Sequence, residues 1–304
     1  MRLVRRRLLL LVLMGVAALL AVGCGGDNKS NEPPQELEDT LGFGGDNAKE
    51  IQARVENRIG DCMKAQGFEY VPVDPFAQQQ AVTGKARISD EEFTKQFGFG
   101  ISTLFGKGNQ QSDPNERIRN SLSSADRAAY DRALGGDNAG VTFAEAVDSG
   151  DFSELGGCTK EASDAAFGGA AVLTSLVEKL DGLDERIIQD QRMVKANEKW
   201  TACMLDKGYR YEEPDAIDED LTEQFQSIVG AGVRPGTSTI PQGASYDRAA
   251  LASLQAEEVK LANADVECEK QEIEPVEREV RPQYEEDFRK ENQQLLQQVK
   301  PANQ

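Results

Sequence analysis

The chain of 304 residues contains five cysteines and no histidine, and these two facts limit the chemistry that it can carry. Cysteine can form disulfides, bind zinc or act as a nucleophile, but the common nucleophilic sites of enzymes also require a histidine base. The sequence has no Cys-x-x-Cys spacing, which disfavours a zinc site. Apart from Cys24, the set of Cys62, Cys158, Cys203 and Cys268 is even, and in an exported chain it would predict two disulfides.

The sequence around these four cysteines favours one of the three pairings that they allow. Cys62 and Cys203 each begin one copy of a repeated stretch, CMKAQGFEY and CMLDKGYRY, whereas Cys158 and Cys268 each continue as Cys-x-Lys. The simplest arrangement pairs Cys62 with Cys158 and Cys203 with Cys268, and each bridge would contribute roughly 4–5 kcal/mol in the chain-entropy description. A bridge between Cys62 and Cys203, and a metal site of all four thiols, are the open alternatives.

The first 24 residues are organised as an export signal. Four arginines within residues 2–7 precede an apolar segment over residues 8–20, and Ala21-Val22-Gly23 place small residues before Cys24. The apolar segment is shorter than the roughly 20 residues that span a bilayer. The stretch resembles the lipobox of bacterial lipoproteins, although Ala21 departs from the usual leucine. An ordinary secretory signal peptide is the alternative.

The lipobox resemblance implies a specific processing of Cys24. The signal peptide would be cleaved after residue 23, the Cys24 sulfur would carry a diacylglyceryl group, and two or more acyl chains such as palmitate would give a stable anchor. The predicted location is therefore the outer face of the cytoplasmic membrane, with the lipid as the contact to the bilayer.

Removal of residues 1–23 leaves a strongly acidic chain. The whole sequence has 34 basic and 53 acidic residues, and the signal contains four of the basic residues and none of the acidic ones, so 30 minus 53 gives a formal charge of −23. Phosphate backbones bind basic surfaces, so nucleic acid is not an expected partner. A basic membrane-binding face is not expected either.

Apolar spacing predicts a mainly α fold with two similar halves. An apolar stripe over residues 51–63 indicates a helix that contains Cys62 and ends at Gly67. A longer helix is predicted from Leu180 to Met204, with Val194 on one apolar stripe, and it ends at Gly208.

A short strand is predicted after each of these glycines. Phe68-Glu-Tyr70 and Tyr209-Arg-Tyr211 alternate so that both aromatics of each pair lie on one side. The fold is thus a helical domain built on two disulfide-closed modules of helix, turn and short strand. Aromatics beside a disulfide usually form core, but Phe68, Tyr70, Tyr209 and Tyr211 are also the candidate ligand-facing residues if the modules enclose a cleft.

Short helices and then long C-terminal helices are predicted for the rest of the chain. Signals for helix starts are found at Asp74-Pro75, Ser89 with Glu92, Asp113-Pro114, Ser124, and Thr142 with Glu145. Two long helices are predicted from Tyr246 onwards, with a break at residues 273–275 and a kink at Pro282. A flexible stretch over residues 230–245 precedes them.

The predicted organisation has four parts. They are a lipoprotein signal peptide over residues 1–23, a lipidated flexible tether over residues 24–47, a first Cys module with short helices over residues 48–179, and a second Cys module with the long C-terminal helices over residues 180–304. The sequence leaves open whether the two modules share one core.

The sequence contains no recognisable catalytic motif. Gly-x-Ser-x-Gly and Ser-x-x-Lys are absent. The run GISTLFGKG over residues 100–108 is similar to a phosphate-binding loop but has five residues between its glycines instead of four. Acidic clusters at Asp148, Asp151 and Glu154, and over residues 218–223, could serve a carboxylate-based hydrolase, although solvated surface is the expected role. We assign no catalytic residue, metal or cofactor.

Together, the lipobox, the two Cys-Met-x3-Gly-(Phe/Tyr)-x-Tyr motifs, Gly-Gly-Cys-Thr-Lys and Ala-Asp-x2-Cys resemble a group of uncharacterised exported lipoproteins of actinobacteria. The resemblance covers most of the mature chain. It implies the compartment and the disulfides, and related lipoproteins suggest an association with ABC-type export systems.

Three functions are compatible with these features. The first is a non-enzymatic lipoprotein of the cell envelope that acts as a scaffold or binds another envelope protein or the wall. The second is a small-ligand receptor, accessory to an ABC-type transporter, with the aromatic pairs at its cleft. The third is a carboxylate-based wall hydrolase.

Overall fold

The computed structural model describes residues 37, 41, 45–85, 88–107, 114–138, 143, 146, 151–238, 240 and 243–299. Within these residues the fold is mainly helical, and no strand is present. The helices are α1 (Gly45–Ala65), α2 (Pro75–Thr83), α3 (Asp90–Phe97), α4 (Pro114–Ser121), α5 (Ser124–Gly135), α6 (Gly157–Phe167), α7 (Ala170–Ile188), α8 (Gln191–Asp206), α9 (Asp215–Val229), α10 (Arg248–Cys268), α11 (Glu274–Glu291) and α12 (Gln293–Gln298). A 3-10 turn covers Gly136–Asn138, and a π-helical turn covers Glu269–Ile273.

The described helices bury two main groups of apolar side chains. The first core contains side chains of α1, α5, α6, α7 and α11. The second core contains side chains of α8, α9 and α10 together with Ile101 and Phe105. A small third cluster of Ile88, Phe93, Phe97 and Leu104 lies around α3. Residue 180, where the second predicted module begins, therefore lies within α7, and that helix packs in the first core.

The helix that was predicted from Leu180 to Met204 is two helices, so this prediction is wrong. α7 ends at Ile188 and α8 begins at Gln191, with Asp190 as the N-cap, whose carboxylate accepts a hydrogen bond from the backbone N–H of Arg192 at 2.8 Å. This capping bond offers the backbone an alternative to helix continuation. Val194 is consequently not on a buried stripe, since 46% of it is exposed.

The two predicted strands, Phe68-Glu-Tyr70 and Tyr209-Arg-Tyr211, are also not formed. Side chains, and not a neighbouring strand, form the hydrogen bonds to the backbone next to each of these two segments. Val71 exchanges two hydrogen bonds of 2.8 Å with the Asn115 amide. The Glu212 carbonyl accepts from Asn197 Nδ2 at 2.8 Å and from Thr201 Oγ1 at 3.2 Å. Each segment therefore folds back towards a neighbouring helix.

The C-terminal helices differ from the prediction in how they are joined. The break expected at residues 273–275 is a π-helical turn over Glu269–Ile273, in which the N–H of Glu274 donates to the Glu269 carbonyl. Pro275 lies in the first turn of α11, where a missing N–H is tolerated. The chain is therefore helical from Arg248 to Glu291.

Several predicted helix starts are confirmed. The Asp74 and Ser89 side chains cap α2 and α3 by accepting from the N–H groups of Phe76 and Glu92. α5 is capped by Ser123, one residue before the predicted position. The Thr142 signal lies outside the described residues.

No helix in the described ranges combines the length and the hydropathy that a membrane crossing requires.

Two pairs of glycines allow α5 and α6 to approach closely. A Cβ atom at Gly157, whose φ is +51°, would overlap the Ala133 carbonyl, and one at Gly156 would overlap the Gly135 carbonyl. Thr159 adds a hydrogen bond of 3.0 Å from its hydroxyl to the Leu134 carbonyl. The Gly-Gly before Cys158 is therefore required by packing.

Candidate functional site

Two disulfides link elements that are distant in sequence. Cys62 of α1 is bonded to Cys158 of α6, with 5.6 Å between their Cα atoms. Cys203 of α8 is bonded to Cys268 at the end of α10, with 5.8 Å between their Cα atoms. The predicted pairing is therefore confirmed, and each main core contains one bridge. Among the described residues, no group of three or more potential metal ligands is found.

The repeated nine-residue stretch forms the same helix end in both copies. The N–H of Phe68 donates to the Met63 carbonyl at 2.9 Å, and the N–H of Tyr209 donates to the Met204 carbonyl at 2.9 Å. Gly67 has φ +86° and Gly208 has φ +92°. Together these features define a Schellman motif, which requires a left-handed residue at the glycine position. The repeat thus encodes a helix end that directs an aromatic residue back onto its own core.

The first aromatic pair packs against the first core. Phe68 is half-buried and meets Tyr130 edge to face, with 5.5 Å between ring centroids. Tyr70 is also half-buried and donates its hydroxyl hydrogen bond to Glu56 at 2.9 Å. The same Glu56 oxygen accepts from the N–H of Val73 at 3.0 Å. These contacts hold the segment after Gly67 against α1.

The second aromatic pair packs against the second core. Tyr209 donates to Glu257 at 3.1 Å, and Tyr211 donates to Asp220 at 2.7 Å. Burial raises the pKa of both hydroxyls, and the carboxylate that accepts each bond raises it further. Both tyrosines therefore remain neutral donors at neutral pH. The two aromatic pairs pack in different cores, so each pair has a packing role of its own.

An open depression lies beside the second disulfide, between α8 and the π-helical turn. Its volume is about 690 Å³, and it is lined by Lys199, Ala202, Cys203, Asp206, Lys207, Gln271 and Glu272. None of these side chains is aromatic. Lys207 forms an ion pair of 2.7 Å with Glu267 at the rim, and that lysine lowers the pKa of Glu267.

Both cores contribute to the elements around this depression. Met193 of α8 belongs to the first core, whereas Trp200 and Met204 of the same helix belong to the second. Ile273, at the end of the π-helical turn, packs against both. π-Helical turns occur frequently at functional sites, so we take the depression as the candidate site.

The run that is similar to a phosphate-binding loop binds a carboxylate of its own chain. Glu258 is fully buried, and its two oxygens accept from the N–H groups of Ile101 and Ser102 at 2.8 Å, from Thr103 at 3.2 Å and from the Ser102 hydroxyl at 2.5 Å. Burial raises the pKa of Glu258, and the four donated bonds oppose that rise. This turn is therefore an anion nest that is already occupied.

Two other buried polar pairs join distant helices. The Trp200 indole N–H donates to Asp265 at 3.0 Å, and both residues are fully buried. Arg281 of α11 donates to Asp184 of α7 at 2.8 Å and to Glu277 at 2.7 Å. These polar groups therefore form hydrogen bonds between parts of the fold itself.

The acidic clusters have structural contacts where they are described. Asp151 accepts from the N–H and the hydroxyl of Ser153, and these bonds lower its pKa. Asp220 accepts from Tyr211 and from Gln224. Asp148 and Cys24 lie outside the described residues.

Sequence reasoning missed Glu258, Asp265 and the residues around the π-helical turn. One signal was available, because Leu251, Glu258 and Asp265 recur every seven residues on α10, beside the second stripe of Leu254, Leu261 and Cys268. A carboxylate within an apolar stripe indicates a buried acid that needs donors.

Comparison of the chain with protein families, with curated proteins and with solved structures found no match.

Proposed function

We propose that this chain is an exported helical lipoprotein, anchored by Cys24 at the outer face of the cytoplasmic membrane, that serves as a scaffold for another protein of the cell envelope. The observation that carries this proposal is that each main core has its own disulfide, with the bonded cysteines separated by 96 and 65 positions of sequence. Disulfides of this kind persist in oxidising compartments outside the cytoplasm. The export signal and the lipobox resemblance support the same compartment.

A binding role is favoured because the buried polar groups already have hydrogen-bond partners within the protein. Glu258, Asp265 and Arg281 bond to the protein itself, so each has a structural role. The candidate aromatics likewise pack within the cores. This leaves the open depression as the proposed contact with a partner.

The lining of the depression fits a protein partner better than a small ligand. Small-molecule pockets are mainly apolar with a few polar groups, whereas this lining consists mostly of charged or polar side chains, including Lys199, Asp206, Lys207 and Glu272. Alternating charges are typical of a polar protein contact that is recognised by charge complementarity. We therefore place the partner surface along α8 and the π-helical turn.

Site-specific photocrosslinking in native membranes tests this proposal. A photoreactive residue replaces Lys199 in the depression, and the matched control replaces Lys179, an exposed lysine of α7. A discrete adduct with one envelope protein is expected from position 199 and not from position 179. The charge reversal Glu272→Lys should abolish the adduct. Equal adducts from both positions, or an adduct unaffected by the reversal, would contradict the proposed contact.

A further inference from the structure

Two residues within the predicted tether of residues 24–47, Leu37 and Leu41, pack against one particular part of the fold. Leu37 is 3% exposed and belongs to the first core. Its backbone N–H donates to Glu285 Oε1 at 3.2 Å, across 248 positions of sequence. The other Glu285 oxygen accepts from Arg289 at 3.0 Å, and Leu41 packs against the same core. The chain is thus attached to α11 well before α1 begins.

The C-terminal helix belongs to the same end of the molecule. Leu295 and Leu296 of α12, and Val299 after it, pack against the first core together with Leu37. The sequence of α12 is QQLLQQ, without a charged residue, in a chain whose mature charge is −23 by the count above. We name Leu37 and α12, which both pack against the first core, the anchor end.

We propose that the anchor end faces the lipid headgroups of the bilayer, which leaves the second core directed away from the membrane. This inference rests on the proposed lipid at Cys24. Thirteen residue steps separate Cys24 from Leu37, and a chain of that length spans at most about 45 Å. Without the contact at Leu37, the predicted tether to residue 47 could reach about 80 Å.

The shorter reach matters because it is similar to the size of the folded part. A compact chain of about 250 residues has a radius of gyration of about 18 Å, and hence a diameter of about 45 Å. The chain from Cys24 to Leu37 is at most about as long as the folded part is wide. It is therefore too short to let the end opposite Leu37 turn towards the bilayer. α12 has no charged residue, but the adjacent C-terminal half of α11 has four acidic and two basic residues. The short attachment at Leu37, and not surface charge, therefore sets the proposed orientation.

Energy transfer to labelled lipid headgroups measures this orientation. The full lipidated protein is reconstituted in vesicles that contain an acceptor-labelled phospholipid, with a fluorescent amino acid in place of Gln297 on α12 or Gln224 on α9. Both glutamines are exposed, and they lie on helices of different cores. Transfer from position 297 is expected to be at least about twofold greater than from position 224.

A second variant shows whether Leu37 sets the orientation. Leu37→Asp places a charge in the first core, so the contact with α11 should be lost and the ratio between the two positions should fall towards one. Co-flotation with vesicles and the lipid on the Cys24 peptide should be unchanged. If the protein floats but the ratio is one or less, or if Leu37→Asp leaves the ratio unchanged, the orientation is overturned. If the Cys24 peptide carries no lipid and the protein does not float, the proposed anchor fails instead.

Discussion

Replacement of Glu258 by methionine should destabilise the protein more than any conservative change on its surface. Glu258→Met keeps the length of the side chain but removes both acceptor oxygens beneath the turn of residues 98–106. Four donors then lose their partner: the N–H groups of Ile101, Ser102 and Thr103 and the hydroxyl of Ser102. All three residues are buried, so water cannot replace the carboxylate without opening the turn.

The magnitude follows from the cost of the four donors. A buried donor without a partner costs about 1 kcal/mol at the low end of the measured range, so four cost about 4 kcal/mol. Removal of a buried carboxylate, whose pKa burial raises, offsets about 1 kcal/mol. The expected loss in the free energy of unfolding is therefore about 3 kcal/mol.

Glu258→Gln is the matched control. It keeps one acceptor oxygen and removes the buried charge, so its free energy of unfolding should lie within about 1 kcal/mol of the native protein. The assay is urea unfolding at neutral pH without reductant, so that both disulfides stay closed. If Glu258→Met loses less than about 1 kcal/mol, or if the two variants lose equal stability, the occupied nest does not stabilise the fold as argued.

Two further substitutions test local features of the fold. Gly157→Ala should lower the free energy of unfolding by about 2–4 kcal/mol because its Cβ would overlap the Ala133 carbonyl at a left-handed φ, whereas Gly182→Ala, with open space around it, should be neutral or stabilising in the same thermal-unfolding assay. Asp190→Asn should change the acid dependence of stability. Hydrogen bonds from Arg192 lower the pKa of Asp190, so the ionised carboxylate stabilises the fold above its unfolded pKa of about 3.9. The advantage of the native protein over Asp190→Asn should begin to shrink as the pH falls below this unfolded pKa, and should continue to shrink as the pH falls towards the lowered pKa of the folded state. Urea titrations over this range measure it, and an advantage independent of pH would contradict the argument.

Features that depend on local sequence could be predicted. The sequence contexts indicate the disulfide pairing, because the simplest arrangement joins each copy of the repeated stretch to one of the two Cys-x-Lys cysteines. The Schellman glycines and the caps at Asp74 and Ser89 were also predictable, since a capping bond involves residues within one turn. These bonds require no knowledge of the tertiary fold.

Features that depend on distant contacts could not be predicted. The segments after Gly67 and Gly208 have strand-like alternation, but a strand forms only when another strand is available to pair with it. Here Asn115 and Asn197 supply the hydrogen bonds instead. Glu258 likewise meets its donors across more than 150 positions of sequence. Local pattern cannot identify such partners, although a carboxylate in an apolar stripe shows that one is needed.

The most direct test of the account is peptide mapping by mass spectrometry, without reduction, of the protein purified from its native membrane. The account predicts a Cys62–Cys158 peptide, a Cys203–Cys268 peptide and an N-terminal peptide that begins with acylated Cys24. A chain that retains residues 1–23 with an unmodified Cys24, or that contains four free thiols, would contradict the proposal of an exported, lipid-anchored scaffold.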